Sequence, residues 1–220
     1  MEQKNSNRKI FLTGGTGYMG SRLLSLLIER GHEVRALTRE ASLQKLPAGC
    51  EPVIGEALKQ NSYTEQVRGC DTFVHMIGVS HPSPAKAQEF RRVDFTSVQV
   101  AVPAAVDAGV RHFIYVSVAH PAPIMQAYWK VHVECEAIIR DSKLNAMILR
   151  PWYVLGPGHR WPYVLLPMYW IFERVPGTRE TARRLGMVTL DQMLHALMQA
   201  VEHPADGFRI VPAQEIRRST

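Results

Sequence analysis

Residues 9–20 read KIFLTGGTGYMG and join a short apolar strand to a helix through closely spaced glycines. The spacing of Gly14, Gly17 and Gly20 suits a tight turn in which the backbone approaches a phosphate and the helix packs closely against the strand. The segment LLSLLIER at 23–30 continues as an amphipathic helix, whose first N–H groups and dipole favour an anion. The pattern predicts a pyrophosphate-binding turn formed by Gly14, Thr16, Gly17, Tyr18, Met19 and Gly20.

The first 150 residues alternate short apolar runs rich in β-branched residues with longer amphipathic segments. This rhythm predicts an α/β fold, a Rossmann-type doubly wound parallel sheet with helices on both faces. Strands are expected near Lys9–Thr13, Glu33–Thr38, Glu51–Ile54, Thr72–Ile77, His112–Ser117 and Ala146–Arg150. Helices are expected near Tyr18–Arg30, Tyr63–Val67, Pro84–Ala108, Met125–Asp141 and Leu190–Glu202. Pro103 lacks a backbone donor and is expected to kink or divide the third of these helices.

The domain organisation follows from a change of composition after Pro151. We expect a flexible N-terminus over 1–9, a Rossmann domain for NAD(P) over 10–151, and a small C-terminal lid or substrate subdomain over 152–220. The aromatic run 161–172, WPYVLLPMYWIF, has several interpretations. It can line an apolar substrate pocket, contact a second subunit or protein partner, lie on a membrane surface, or pack in the subdomain core.

Composition narrows the class of protein. A chain of 220 residues with 46% hydrophobic content can bury a proper core. The net charge of +6 comes without a recognisable nucleic-acid-binding element, so no nucleic-acid partner is expected. The polar N-terminus lacks the apolar core of a signal peptide, and the run 161–172 is shorter than the roughly 20 residues of a transmembrane helix. Three widely spaced cysteines suit a reducing compartment, and the expected location is the cytoplasm.

The end of the second predicted strand bears on the choice of cofactor. Acidic residues that bind the ribose 2′-hydroxyl of NAD commonly stand there, whereas this chain has Thr38 and Arg39. The guanidinium of Arg39 can make a bidentate contact with a 2′-phosphate. Glu40 follows directly, so NAD stays open, but the sequence favours NADP(H) over NAD(H).

From Ile10 to Pro157 the chain resembles extended or atypical short-chain dehydrogenases/reductases, and most of all the NmrA-like NAD(P)-binding proteins. The resemblance rests on TGGTGYMG, VRALTR, GCDTFVHMIG, AGVRHFIYVS and LRPWYVLGPG. It implies further cofactor contacts on three stretches of the chain. These contacts are Glu56 and Ala57, Met76, Ile77 and Gly78, and Pro151 and Val154. Asp94 stands where the family commonly has asparagine.

The resemblance also implies a catalytic serine, tyrosine and lysine, for which the candidates are Ser117, Tyr128 and His132. Histidine thus replaces the lysine that would lower the pKa of the tyrosine and hold the nicotinamide ribose. Lys130 cannot substitute, because at 100 degrees per residue it points about 200 degrees away from Tyr128, towards a solvent-side pair with Glu134. His132 is turned only about 40 degrees from Tyr128 and can donate to a ribose hydroxyl.

Two functions remain open from the sequence. The first is an oxidoreductase that transfers hydride from NADPH to a small apolar carbonyl, enone or quinone-like acceptor, with Ser117 and Tyr128 orienting that acceptor. The second is a non-catalytic NAD(P)-binding redox sensor or assembly protein of the NmrA-like type. The histidines show no ligand spacing of a metal site, so no metal is expected.

Overall fold

A computed structural model describes residues 7–157, 177 and 179–219. Seven parallel strands form its central sheet, in the order β3-β2-β1-β4-β5-β6-β9. These strands are β1 Lys9–Thr13, β2 Glu33–Thr38, β3 Glu51–Ile54, β4 Thr72–His75, β5 His112–Val116, β6 Ala146–Arg150 and β9 Phe208–Pro212. A short parallel pair, β7 Val154–Leu155 and β8 Val188–Thr189, lies beside it. The predicted Rossmann-type fold is confirmed.

Helices cover both faces of this sheet. The α-helices are α1 Gly20–Glu29, α2 Thr64–Val67, α3 Ala87–Phe90, α4 Thr96–Asp107, α5 Gln126–Asp141, α6 Arg179–Arg184, α7 Leu190–Glu202 and α8 Ala213–Ile216. Short 3-10 helices occupy Glu40–Lys45, Gln60–Ser62 and Pro84–Lys86. Strands that are covered on both faces of the sheet need apolar side chains on both faces. In β1, Phe11 and Leu12 are fully buried and belong to two separate apolar clusters.

The predicted helix over 84–108 is not continuous. A 3-10 turn and α3 lead into a π-helical segment, Arg91–Phe95, before α4 begins at Thr96. Pro103 lies inside α4 and does not divide it, because a proline removes a single backbone hydrogen bond from the helix. The irregularity therefore lies at Arg91–Phe95, the segment that carries Asp94.

Two strands end earlier than predicted. β4 ends at His75 and not at Ile77, and β5 ends at Val116 and not at Ser117. In open α/β sheets, ligands bind just beyond the carboxyl ends of the parallel strands. Met76, Ile77 and Ser117 therefore line a cleft and do not belong to the strands.

The division at residue 151 needs correction for the described residues. β9 pairs with β6 as the seventh strand of the main sheet, and helix α7 shares the buried cluster of α1 through Met193 and Leu197. Helix α7 begins as predicted, because Thr189 and Gln192 form a reciprocal capping box. The C-terminal part thus completes the core of residues 10–151. Whether residues 158–176 form a lid stays a prediction, since that stretch and the aromatic run 161–172 lie outside the described residues.

The N-terminus is also more ordered than expected at its end. Arg8 donates to the carbonyl of Glu202 at 3.1 Å, and its backbone N–H lies 3.2 Å from the His32 ring. Strand β1 starts at Lys9. Residues 8 and 9 thus contact the fold, whereas residues 1–6 lie outside the described part, and flexibility of the N-terminus stays a prediction. Within that part, no helix is both long and apolar enough to cross a lipid bilayer.

Candidate functional site

The glycine turn between β1 and α1 is compact because two positions exclude a side chain. Gly14 has a φ of +82°, and a Cβ there would lie 2.7 Å from the carbonyl oxygen of Met76. A Cβ on Gly20 would lie 2.1 Å from the carbonyl oxygen of Gly14. The N–H of Gly17 donates to that same Gly14 oxygen at 3.0 Å. Helix α1 starts at Gly20 with no side-chain cap, and the N–H of Ser21 donates to the carbonyl of Gly17 at 3.1 Å. The positive end of the helix dipole at this start favours an anion.

A cavity of about 430 Å³ lies directly beside this turn, at the carboxyl edge of the sheet. It brings together most of the predicted site residues from four separate regions of the chain. These are Gly14, Gly17, Tyr18, Met19, Gly20, Met76, Ile77, Gly78, Ser117, Tyr128, His132, Pro151 and Val154. Asp94, Val116, Val118, Trp152 and Tyr153 also line it. The turn and the candidate catalytic residues thus share one cleft.

Four predicted contacts are not among the residues that line this cavity: Thr16, Arg39, Glu56 and Ala57. Arg39 is exposed at the end of β2, just before a 3-10 helix. Glu56 is also exposed and forms an ion pair with Lys59 at 2.7 Å. Arg39 and Glu56 stay predictions for the adenosine end of a dinucleotide.

Tyr128 and His132 lie one turn apart on α5, with their rings edge to face and their centroids 4.7 Å apart. Burial raises the pKa of Tyr128 well above its ordinary value, and the charge of Asp94 raises it further. Lys130 is exposed, and its Nζ lies 5.9 Å from the centroid of the Trp129 ring. The prediction that Lys130 points away from the site is confirmed, and among the described residues that line the cavity no lysine takes the place of the expected one.

The predicted pair of Lys130 with Glu134 does not form. Glu134 instead accepts two hydrogen bonds from Arg91, each 3.0 Å long. Arg91 belongs to the π-helical segment, which packs against α5. A bidentate guanidinium contact from a neighbouring element has displaced the pairing expected within the helix.

His132 is 2% exposed, and its two nitrogens have different surroundings. Nδ1 lies 2.6 Å from the hydroxyl of Tyr115. Nε2 has no hydrogen-bond partner among the described residues and lies 3.5 Å from Oδ1 of Asp94. A buried nitrogen beside a carboxylate can bind a hydroxyl group, which accepts from the nitrogen and donates to the carboxylate. Asp94 was expected only as a departure from the family pattern, and its place in the site was not predicted.

Ser117 is committed to a buried carboxylate. Its hydroxyl donates to Oε1 of Glu136 at 2.6 Å, and Arg150 binds both oxygens of that carboxylate. His120 lies 3.2 Å from the same Oε1. Burial by itself would raise the pKa of Glu136, but the hydrogen bonds from His120, Arg150 and Ser117 hold it at about 2. An ionised carboxylate accepts only, so it takes the single proton of Ser117, which differs from the predicted role of holding a substrate oxygen.

These features fit a dinucleotide. The glycines of the turn and the start of α1 line the cavity, which suits a pyrophosphate, and the unpartnered Nε2 of His132 with Asp94 suits a sugar hydroxyl. Tyr128 lines the same cavity and can donate a proton to an acceptor beside the cofactor.

Comparisons with known proteins agree with this geometry. A family model described as NAD(P)H-binding matches residues 14–164. A ketoreductase of 4-hydroxy-2-methyl-3-oxo-4-farnesyl-3,4-dihydroquinoline-1-oxide from Stigmatella aurantiaca is 35% identical over 67% of this chain and 51% of its own length. Ceramide reductase from Caulobacter vibrioides is 24% identical over 95% of this chain and 65% of its own length. The chain therefore spans between half and two thirds of these relatives.

Solved structures show the same fold at low identity. The Bordetella bronchiseptica enzyme WbmH in complex with NAD+ superimposes with a TM-score of 0.69 at 20% identity, over 94% of this chain and 76% of that one. DesIV, a dTDP-glucose 4,6-dehydratase from Streptomyces venezuelae, gives 0.70 at 21% identity, over 92% and 74%. Together with the family match over residues 14–164, these findings show that the chain belongs to the NAD(P)H-binding family within the extended short-chain dehydrogenases/reductases.

Proposed function

We propose that the protein reduces a small apolar carbonyl, enone or quinone-like acceptor with hydride from NADPH. One observation carries the proposal: a single cavity joins the glycine turn to Tyr128 and His132. The bound nicotinamide supplies the hydride. The turn and the first N–H groups of α1 hold the pyrophosphate. His132 donates from Nε2 to a ribose hydroxyl, and Asp94 accepts from that hydroxyl.

The raised pKa of Tyr128 favours reduction over oxidation. A phenol with a pKa above 10 is almost fully protonated near pH 7, so it is ready to give a proton to the oxygen of a carbonyl that receives hydride. Alcohol oxidation needs the phenolate as base, and burial and Asp94 both disfavour that form. With Ser117 bound to Glu136, Tyr128 is the candidate proton donor.

The lining supports an apolar acceptor. The described lining includes the apolar side chains of Val116, Val118 and Trp152. Met76 and Ile77, which lie next to the glycine turn, also line the cavity. The names of two relatives, a ketoreductase of a farnesyl-bearing oxo compound and a ceramide reductase, also support apolar carbonyl substrates. An apolar cavity with few polar groups is the usual form of such a site.

The preference for NADPH rests on Arg39. The side chain is exposed at the end of β2, and within the described part of the chain it forms no ion pair. A guanidinium in that position is available to a 2′-phosphate. Glu40 begins the following 3-10 helix and is the residue that would oppose this contact.

The test begins with calorimetric titration of the protein with NADPH and with NADH. NADPH oxidation is then followed by absorbance with menadione, flavin mononucleotide and benzaldehyde as acceptors. The proposal requires binding of NADPH and turnover of at least one acceptor. Arg39→Ala should weaken NADPH binding about ten-fold and leave NADH unchanged, whereas Glu40→Gln, its matched control, should not weaken NADPH. An unchanged preference in Arg39→Ala refutes that residue's role.

A second candidate is a non-catalytic NAD(P)-binding regulatory protein. Its specific support is the loss of both helpers of Tyr128: His132 replaces the lysine, and Ser117 is bound to Glu136. Tight nucleotide binding with no oxidation of NADPH by any acceptor, and no effect of Tyr128→Phe, would favour this function over the reductase.

A further inference from the structure

The cavity has an unusual charge for a site that is proposed to hold a nicotinamide. Among the described residues that line it, Asp94 is the only carboxylate, and neither lysine nor arginine is present. The other titratable side chains there are Tyr18, His81, Tyr128, His132 and Tyr153. The second carboxylate nearby, Glu136, lies behind the wall and is paired with Arg150. The described lining therefore carries the negative charge of Asp94 without a lysine or arginine.

The surroundings of Asp94 leave this charge poorly compensated. The residue is 1% exposed and accepts a hydrogen bond from the N–H of Val79 at 3.3 Å. Its nearest ring nitrogen, Nε2 of His132, is 3.5 Å away. The guanidinium of Arg22 stacks 4.6 Å from the centroid of the Tyr18 ring, at the glycine turn and so at the phosphate end. The charge of Asp94 also acts on Tyr128, since it raises the pKa of that phenol in addition to the larger effect of burial.

We propose that Asp94 makes this cavity bind the oxidised, positively charged nicotinamide more tightly than the reduced, uncharged one. The inference rests on the proposed function only in taking the nicotinamide to lie beside His132 and Tyr128. Two unit charges about 8–12 Å apart at an effective dielectric constant near 20 interact strongly enough for a roughly ten- to thirty-fold difference in affinity. Every ten-fold preference lowers the two-electron potential of the bound couple by about 30 mV, which makes the bound NADPH a stronger hydride donor.

The experiment compares dissociation constants of NADP+ and NADPH, measured by calorimetry without an acceptor. The wild-type protein should bind NADP+ roughly ten-fold more tightly than NADPH. Asp94→Asn keeps the size of the side chain and removes the charge, so the ratio should fall close to one. Glu134→Gln removes a carboxylate from the solvent side of α5 and is the matched control, with an unchanged ratio.

A second variant covers the case in which Asp94→Asn does not fold. His132→Lys places an ammonium group beside Asp94 and should also bring the ratio close to one. Equal affinities in the wild type, or a ratio that neither variant changes, would overturn this inference and leave the reductase proposal standing. An equal change in Glu134→Gln would overturn it as well, because the effect would then be one of overall charge. Failure of both nucleotides to bind would overturn the proposed function together with it.

Discussion

Nδ1 of His132 lies 2.6 Å from the phenolic oxygen of Tyr115, and this contact bears on whether the opposite ring nitrogen, Nε2, carries a proton. Burial raises the pKa of Tyr115 far above its ordinary value, so the phenol keeps its proton and can donate it to Nδ1. In the neutral ring the remaining proton is then on Nε2, which faces Asp94. His132 therefore presents a donor, beside an acceptor, to the cavity.

Replacement of Tyr128 by phenylalanine should separate binding from chemistry. Loss of the proton donor is expected to lower kcat for benzaldehyde about 10²–10⁴-fold, because general acid catalysis typically contributes that much. The dissociation constant for NADPH should change by less than about three-fold. Steady-state assays and calorimetry on the same preparation measure both, and an undiminished kcat would remove Tyr128 from the mechanism.

Replacement of His132 by lysine should make the phenolate of Tyr128 easier to form. An ammonium group near Tyr128 offsets the effect of burial and of Asp94, and is expected to lower the pKa of the phenol by about one to two units. We expect the pH profile of alcohol oxidation to shift to lower pH, because that direction needs the phenolate as base. Lys130→Ala, on the exposed side of the helix, should leave the rate and the profile unchanged.

Replacement of Gly20 by alanine should abolish nucleotide binding. The added Cβ would lie 2.1 Å from the carbonyl oxygen of Gly14, and the backbone of the turn must move to admit it. Calorimetry with NADPH should show no binding, while circular dichroism reports whether the fold is kept. A Cβ at Gly177 meets no atom of the described residues within 4 Å, so Gly177→Ala is the control with normal binding. Normal binding by Gly20→Ala would show that the turn is not the phosphate site.

The stability of the protein should fall in mild acid. Burial lowers the pKa of His75 to about 3 and that of His112 to about 4, in each case with a smaller contribution from neighbouring groups. Both rings are neutral in the folded state, while in the unfolded chain they take up protons below about pH 6.5. Their contribution is complete above that pH and is lost as pH falls towards 4, at up to about 1.4 kcal/mol per unit for each ring.

Urea unfolding between pH 7 and 4.5 measures this slope. His112→Gln should reduce the slope, because one of the two protons taken up on unfolding is removed. His195→Gln, which changes a half-buried ring on α7, should leave the slope as in the wild type. A stability that does not vary over this range would contradict the assignment of neutral buried rings.

Much of the fold follows from local pattern in the sequence. The boundaries of β1, β2, β3 and β6 agree with the prediction, because an apolar β-branched run between turn residues marks a buried parallel strand. The glycines of the turn were recognisable because all three lie within one stretch of seven residues. The outward direction of Lys130 followed from helical periodicity alone, since the angle between side chains depends only on their separation.

Only the tertiary structure decided the chemistry of the wall around Tyr128. Asp94 meets His132, and Ser117 meets Glu136, across gaps of 38 and 19 residues that no local period connects. The π-helical segment turns Asp94 into the core, and the seventh strand comes from a region that composition had assigned to a lid. Sequence determined the cofactor turn and the pairing of Tyr128 with His132 on one helical face. Packing decided which hydrogen-bond partners and charges surround Tyr128 and His132, because these groups come from parts of the chain that are distant in sequence.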